Sequence, residues 1–292
     1  MAAALAPRSL LQSFNDPLPT YRYNGTVHKA SEGGTESKNT TSPNFAVRRT
    51  QANRWSAVGQ VFLNNLQNAS TVPLWTAFLN ERIYNKEQPI QHRNEADIVR
   101  TSALYLIHPV SQALNTHSML NGTLSSQCED NKTRGVRTDM TFLRAAQPEP
   151  RPFAVFEYKR RTIIASSRLN AAVRPYNPAA ATAAADLAAI LTSLTPPGVP
   201  RPISAFEGGS LHLIKQASAY AIKKSTRYVA MFDYDHLICF YFPELDHTVP
   251  PGAAVPPQVN NYVEIDVYPF AQSNQMRLAL LGFLAEAYEN TP

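Results

Sequence analysis

From residue 46 onward the apolar positions switch between a helical and a strand rhythm, and the switches outline the chain. Trp55, Val58, Val61, Phe62 and Leu66, then Trp75, Phe78, Leu79 and Ile83, recur at helical spacing and predict a small helical cap over about 46–90. A longer helix is expected over 94–108, opened by Asn94 as its N-cap and carrying Glu95 and Asp97 in its first turn. Two runs rich in aromatic and apolar residues, about 136–145 and 152–161, read as strands of a hairpin turned at Gln147-Pro-Glu-Pro150. An alanine-rich stretch at 179–194 predicts a helix that Thr195-Pro-Pro-Gly-Val-Pro-Arg-Pro202 cannot continue, and about 171–205 is taken as an insertion. A helix over about 209–224, strands at 227–234 and 236–242, a strand at 262–268 and a helix over about 274–288 complete the pattern. Residues 1–45, rich in Ser, Thr, Asn, Gly and Pro, show little periodicity and are expected to be an extended or disordered arm without chemistry. The fold class is α/β: a mixed central β-sheet flanked by helices, in one domain over 91–292, with the helical cap before it.

Composition narrows this picture only a little. The 292 residues, 44% hydrophobic and 17% charged, suffice for a sizeable core. A net charge of +5 mildly favours polyanionic partners. Two cysteines, Cys128 and Cys239, exclude a disulfide framework, a zinc module or a four-cysteine cluster, and point to a reducing compartment. With no signal-like start and no apolar run near the ~20 residues of a membrane span, the expectation is an intracellular protein, cytoplasmic or nuclear, without a membrane partner. No phosphate-binding Gly-rich loop, Gly-x-Ser-x-Gly elbow or His-Glu-x-x-His is present.

The chemistry sits at the end of the second expected strand. Strand alternation sends Glu157 and Lys159 to one face and Tyr158 to the other. Phe153-Ala-Val-Phe156 just before them reads as strand buried on both faces, where ionisable groups need a reason. If Asp139 lies at the same end of the neighbouring strand, two carboxylates converge on a site for a hard cation. On the 209–224 helix, His212, Gln216 and Tyr220 follow at four-residue steps and share one stripe, with Lys223 a turn further. Arg134, Arg137, Arg144, Arg160, Arg161 and Arg168 surround the acidic residues in sequence and would offer cations to a phosphate backbone. The plainer alternatives are a solvated Glu-x-Lys face, a turn aspartate and a helix-to-sheet packing contact. Asp233 and Asp235 read as a hairpin turn and are left out of the site.

In order and residue type, Asp139, Glu157-x-Lys159 and Gln216-xxx-Tyr220 resemble the PD-(D/E)XK nuclease superfamily, the last pair its RecB-like branch. The resemblance covers about residues 90–245, and Thr138 stands where the family often has proline. It implies a restriction-endonuclease-like core and a Mg²⁺-dependent phosphodiesterase, with Mn²⁺ able to substitute. Asp139, Glu157 and the backbone carbonyl of Tyr158 would hold the metal, Glu95 would complete its shell with Asp97 as the alternate, and Lys159 would activate water. Gln216 and Tyr220 would keep the strands and the substrate phosphate in register. The implied partner is nucleic acid, DNA before RNA, with oligomeric state open. Two other readings share these residues: an inactive nuclease-fold module that binds nucleic acid or protein, and an RNA endonuclease.

Overall fold

Strands whose residues are apolar on both faces belong in the middle of a sheet, and β6 (Arg151–Tyr158) and β7 (Tyr228–Phe232) lie there. The computed structural model describes residues 8–25, 46–50, 52–68, 72–83, 91–117, 124–130, 138–145, 149–164, 208–245 and 262–291, with isolated positions 169, 173 and 198. With β2 (Ala46–Arg49), β4 (Leu124–Asp130), β5 (Thr138–Arg144), β8 (His236–Tyr241) and β9 (Tyr262–Pro269), the two central strands form one sheet, ordered β2-β9-β8-β7-β6-β5-β4. It is mixed: β6 runs parallel to β7 and β2 to β9, and the other neighbours are antiparallel. The expected α/β class with helices on a mixed sheet is what the chain adopts. Two-residue strands β1 (Arg8–Ser9) and β3 (Arg82–Ile83) pair separately.

Alternation along the strands divides the core into two layers. Val155, Val229, Met231, Ile238 and Phe240 pack with Ile214, Ala217 and Ala221 of α6 (Gly208–Lys224). Ala154, Phe156, Ala230, Phe232 and Cys239 face the other way. There they meet α7 (Ser273–Glu289), α2 (Arg54–Asn68) and the long helix made of α4 (Glu95–Ser102), a π-turn at Ala103–Ile107 and α5 (His108–Thr116). The carbonyl of Tyr105 in the π-turn accepts a hydrogen bond from Nε of the buried Arg277. Gly59 and Gly282 let α2 and α7 touch backbone to backbone. A Cβ on Gly59 would lie 2.0 Å from the carbonyl oxygen of Leu278, and one on Gly282 2.0 Å from that of Trp55.

The structure departs from the sequence-based outline in three ways. Residues 8–25 are no bare arm: α1 (Leu10–Ser13) follows β1, and Leu10, Phe14, Leu18 and Tyr21 are buried in the core. The helical region expected over 46–90 is present as α2 and α3 (Val72–Asn80), but it also carries a strand and is tied into the domain: β2 extends the sheet beside β9, α2 lies against α7, and Phe78 of α3 stacks with Trp75 while burying itself in the same core. An additional strand, β4, edges the sheet next to β5. The alanine-rich helix and most of the 171–205 insertion lie outside the described residues.

Candidate metal and phosphodiester site

The pairing of β5 with β6 brings the two carboxylates together. Met140 is opposite Phe156, so one step beyond the paired region Asp139 comes abreast of Glu157. The two residues interlock: the Tyr158 N–H donates to Asp139 Oδ2 (2.7 Å), and the Asp139 N–H donates to Glu157 Oε2 (3.3 Å). Parallel pairing of β6 with β7 continues through the Lys159 N–H, which donates to the Phe232 carbonyl (2.9 Å). The carboxylates thus stand at the carboxyl end of a parallel pair, where open α/β sheets place ligands.

Glu157 is the hub. Its Oε1 accepts from Lys159 Nζ (2.7 Å), Tyr220 Oη (2.9 Å) and Gln216 Nε2 (3.1 Å). Gln216 Nε2 also reaches the Tyr220 hydroxyl at 2.6 Å. The side chain of Glu157 is only 8% exposed and that of Lys159 15%. Burial pushes the Glu157 carboxyl above the ordinary carboxylate range; the Lys159 ammonium opposes the rise and the Asp139 carboxylate reinforces it. Burial, then the Glu157 charge, raises the Tyr220 phenol, which therefore remains a neutral donor. One face of β6 delivers Glu157 and Lys159, and one stripe of α6 delivers Gln216 and Tyr220 four residues apart.

The five residues Asp139, Glu157, Lys159, Gln216 and Tyr220 are gathered by the fold, and the other expected residues take varied places around them. Gln216 and Tyr220 grip the Glu157 carboxylate itself. Tyr158, whose carbonyl is the expected third metal oxygen, also binds Asp139 through its N–H. Asp97 is a helix cap: its Oδ2 accepts from the N–H groups of Arg93 (2.7 Å) and Asn94 (3.2 Å), while Asn94 Oδ1 accepts from the Asp97 N–H (3.1 Å). The spacing Asn94-x-x-Asp97 is that of a capping box and carried this signal in the sequence. Glu95 is half-buried in the first turn of α4. Among the described residues no three His, Cys, Asp or Glu side chains are grouped to hold a metal, so Glu95 does not join Asp139 and Glu157 in such a group. His212 is half-buried on α6.

The expected ring of arginines is also partial. Arg144 turns to the far end of β5, donating to the carbonyls of Tyr288 (3.3 Å) and Thr291 (2.5 Å) with its guanidinium over the Tyr288 ring. Arg161 is bound to Asp235, and Arg160 is exposed. Arg134, Arg137 and Arg168 lie outside the described residues. Among the described residues no helix is long and apolar enough to cross a membrane. The chain matches no protein-family model, no curated protein and no solved structure.

Proposed function

We propose that the protein is a metal-dependent nuclease that hydrolyses phosphodiester bonds, with DNA as the expected substrate. The observation that carries this reading is the convergence of Asp139, Glu157 and Lys159 at the carboxyl end of β6, with Gln216 and Tyr220 fixing the Glu157 carboxylate. The donor chemistry fits Mg²⁺ or Mn²⁺: two hard carboxylates on neighbouring strands, the number with which Mg²⁺ is often held when water and substrate phosphate supply the rest. Burial first, with the Asp139 carboxylate adding to it, raises the proton affinity of Glu157, and a cation held by the two carboxylates would offset both. A bound divalent cation supplies neutralisation of the phosphate charge and a more acidic water.

The protein's own groups divide the remaining work. Asp139 and Glu157 are the metal holders. Lys159 Nζ, on the same strand face as Glu157, orients the attacking water and stabilises the hydroxide formed when that water gives its proton to solvent or to a phosphate oxygen. Gln216 and Tyr220 donate to Oε1 of Glu157 and so leave Oε2 as the oxygen turned toward Asp139. A second reading, an inactive module of the same fold, is favoured by one observation: Glu157 Oε1 is already occupied by three donors, Lys159 among them.

Cleavage of circular and linear DNA, single and double stranded, and of RNA, with Mg²⁺ or Mn²⁺ against a chelator control and Lys159→Ala, tests the proposal. Metal-dependent cutting that the variant loses is the expected result, and loss of circles as well as linear DNA marks an endonuclease. Absence of cutting, together with no calorimetric signal for Mg²⁺ or Mn²⁺, would leave the inactive module.

A further inference from the structure

Segments far apart in sequence meet beside Lys159. Arg161, two residues on, donates from Nε to both carboxylate oxygens of Asp235 (3.1 and 3.0 Å) and from Nη1 to the Tyr21 carbonyl (2.9 Å). Its guanidinium lies 5.6 Å from the ring centre of Tyr23 and 5.8 Å from that of Tyr234. The buried His92 completes the junction. Its N–H donates to the Arg22 carbonyl (3.0 Å), its carbonyl accepts from the Asn24 N–H (3.0 Å), and its ring packs 4.8 Å from Tyr21 and 4.5 Å from Tyr234. Residues 21–24 are thereby bonded to 91–93 as a short parallel ribbon and clamped onto the loop that leaves β6.

Alternation along this ribbon decides what faces outward. Tyr21 and His92 are buried and Tyr23 is half-buried, whereas Arg22 and Arg93, between and beside them, are exposed. Arg160, the neighbour of Lys159, is exposed as well. Within residues 20–25, 91–97 and 159–164 these three arginines are the only exposed charged side chains. The carboxylates of the same region are at least half-buried, with Asp97 engaged in capping α4 and Asp235 held under Arg161.

We propose that Arg22, Arg93 and Arg160 form a cationic edge that takes the phosphate backbone of a nucleic acid beside the Asp139, Glu157 and Lys159 site. The proposal rests on the nuclease reading for its choice of partner and makes the N-terminal segment part of the substrate surface. Guanidinium groups suit phosphate because their planar donors match its oxygens in pairs. An anionic membrane would draw on apolar side chains as well as charge. The large hydrophobic side chains exposed among the described residues are Val61 and Val99, both outside the three segments.

Fluorescence anisotropy of short labelled DNA, duplex and single strand, tests the edge in chelator, where no cleavage occurs, across a series of KCl concentrations. The full-length triple variant Arg22→Gln, Arg93→Gln, Arg160→Gln should bind roughly tenfold or more weakly, with its log-affinity against log-salt slope reduced by about three. The matching triple Arg→Lys variant should keep most of that slope, which separates lost charge from lost fold. An unchanged slope in the glutamine variant, no DNA binding by the wild type, or equal preference for anionic phosphatidylserine vesicles would each overturn the proposal. Cleavage with Mg²⁺ distinguishes the two readings. A wild type that binds with this slope but never cuts keeps the edge and sinks the nuclease, while a glutamine variant that binds and cuts like wild type sinks the edge alone.

Discussion

Two acidic pairs stand at the same end of the sheet, Asp139 with Glu157 and Asp233 with Asp235, and their buried members, Glu157 and Asp233, meet different kinds of donor. Asp233 is fully buried and answered by fixed backbone donors: Oδ1 accepts from the His236 N–H (2.8 Å) and Oδ2 from the Ile164 N–H (3.1 Å). Asp235 is locked to Arg161. Glu157 is answered by side chains, Lys159, Gln216 and Tyr220, which can change partners by rotating. Burial raises both Glu157 and Asp233 above the usual carboxylate range, so a perturbed acid is not by itself a sign of chemistry. What separates Glu157 from Asp233 is that three side chains answer Glu157 Oε1, whereas backbone N–H groups answer both oxygens of Asp233.

The sharpest way to break this contrast is among the side chains that answer Glu157. Lys159→Ala should cut cleavage by about 10²–10⁴-fold with the thermal midpoint nearly unchanged. A comparable loss of melting temperature would instead make Lys159 a structural residue like Arg161. Asp233, answered by backbone, should behave the other way. Asp233→Ala strands two buried N–H groups and should cost about 2–4 kcal/mol in urea unfolding, while the folded fraction keeps its cleavage rate. If cleavage disappears with stability intact, Asp233 belongs to the site.

The next effect concerns the junction that holds Arg161. Burial first, then the Arg161 charge, lowers the His92 imidazole to about 4. Between the ordinary value of 6.5 and about 4, the unfolded chain therefore binds the extra proton, and stability is full above that window and declines as pH falls through it. The contribution reaches about 3 kcal/mol. His92→Gln should flatten this part of the stability profile, measured by chemical unfolding at each pH, and an identical slope in both proteins would count against it. Smallest is Tyr220→Phe, which removes one of three donors to Glu157 Oε1. Affinity for Mn²⁺ by calorimetry should weaken about tenfold, the lower end for losing an outer-shell partner, with little change in melting temperature.

Much of this was legible in the chain because it is local. The apolar run before Glu157 marked a central strand, the four-residue step from Gln216 to Tyr220 marked one helix face, and Asn94 marked a cap. The order of Asp139, Glu157 and Lys159 pointed to side chains that the fold brings together. What escaped was either polar or non-local. Strand β4, Leu-Ser-Ser-Gln-Cys-Glu-Asp, lacks an apolar alternation because it is an edge whose described side chains are largely exposed. Leu10, Phe14, Leu18 and Tyr21 follow at steps of four, four and three residues, but Pro17 and Pro19 interrupt that helical rhythm, and a short helix and the segment after it bury them together. Arg22 and Arg93 are ordinary surface residues in sequence and become a pair only through the ribbon between 21–24 and 91–93.

The contact of Gly59 with the turn of α7 around Gly282 joins helices more than 200 residues apart in the chain. Such closure has to wait for synthesis: while α7 is still being made, α2 lacks the backbone it lies against and the layer over β6 lacks one of its helices. Strands β5 and β6 and helix α6, which carry the candidate site, are all translated earlier. A ribosome-bound chain thus holds every proposed reacting group before α7, one of the helices behind them, has been made.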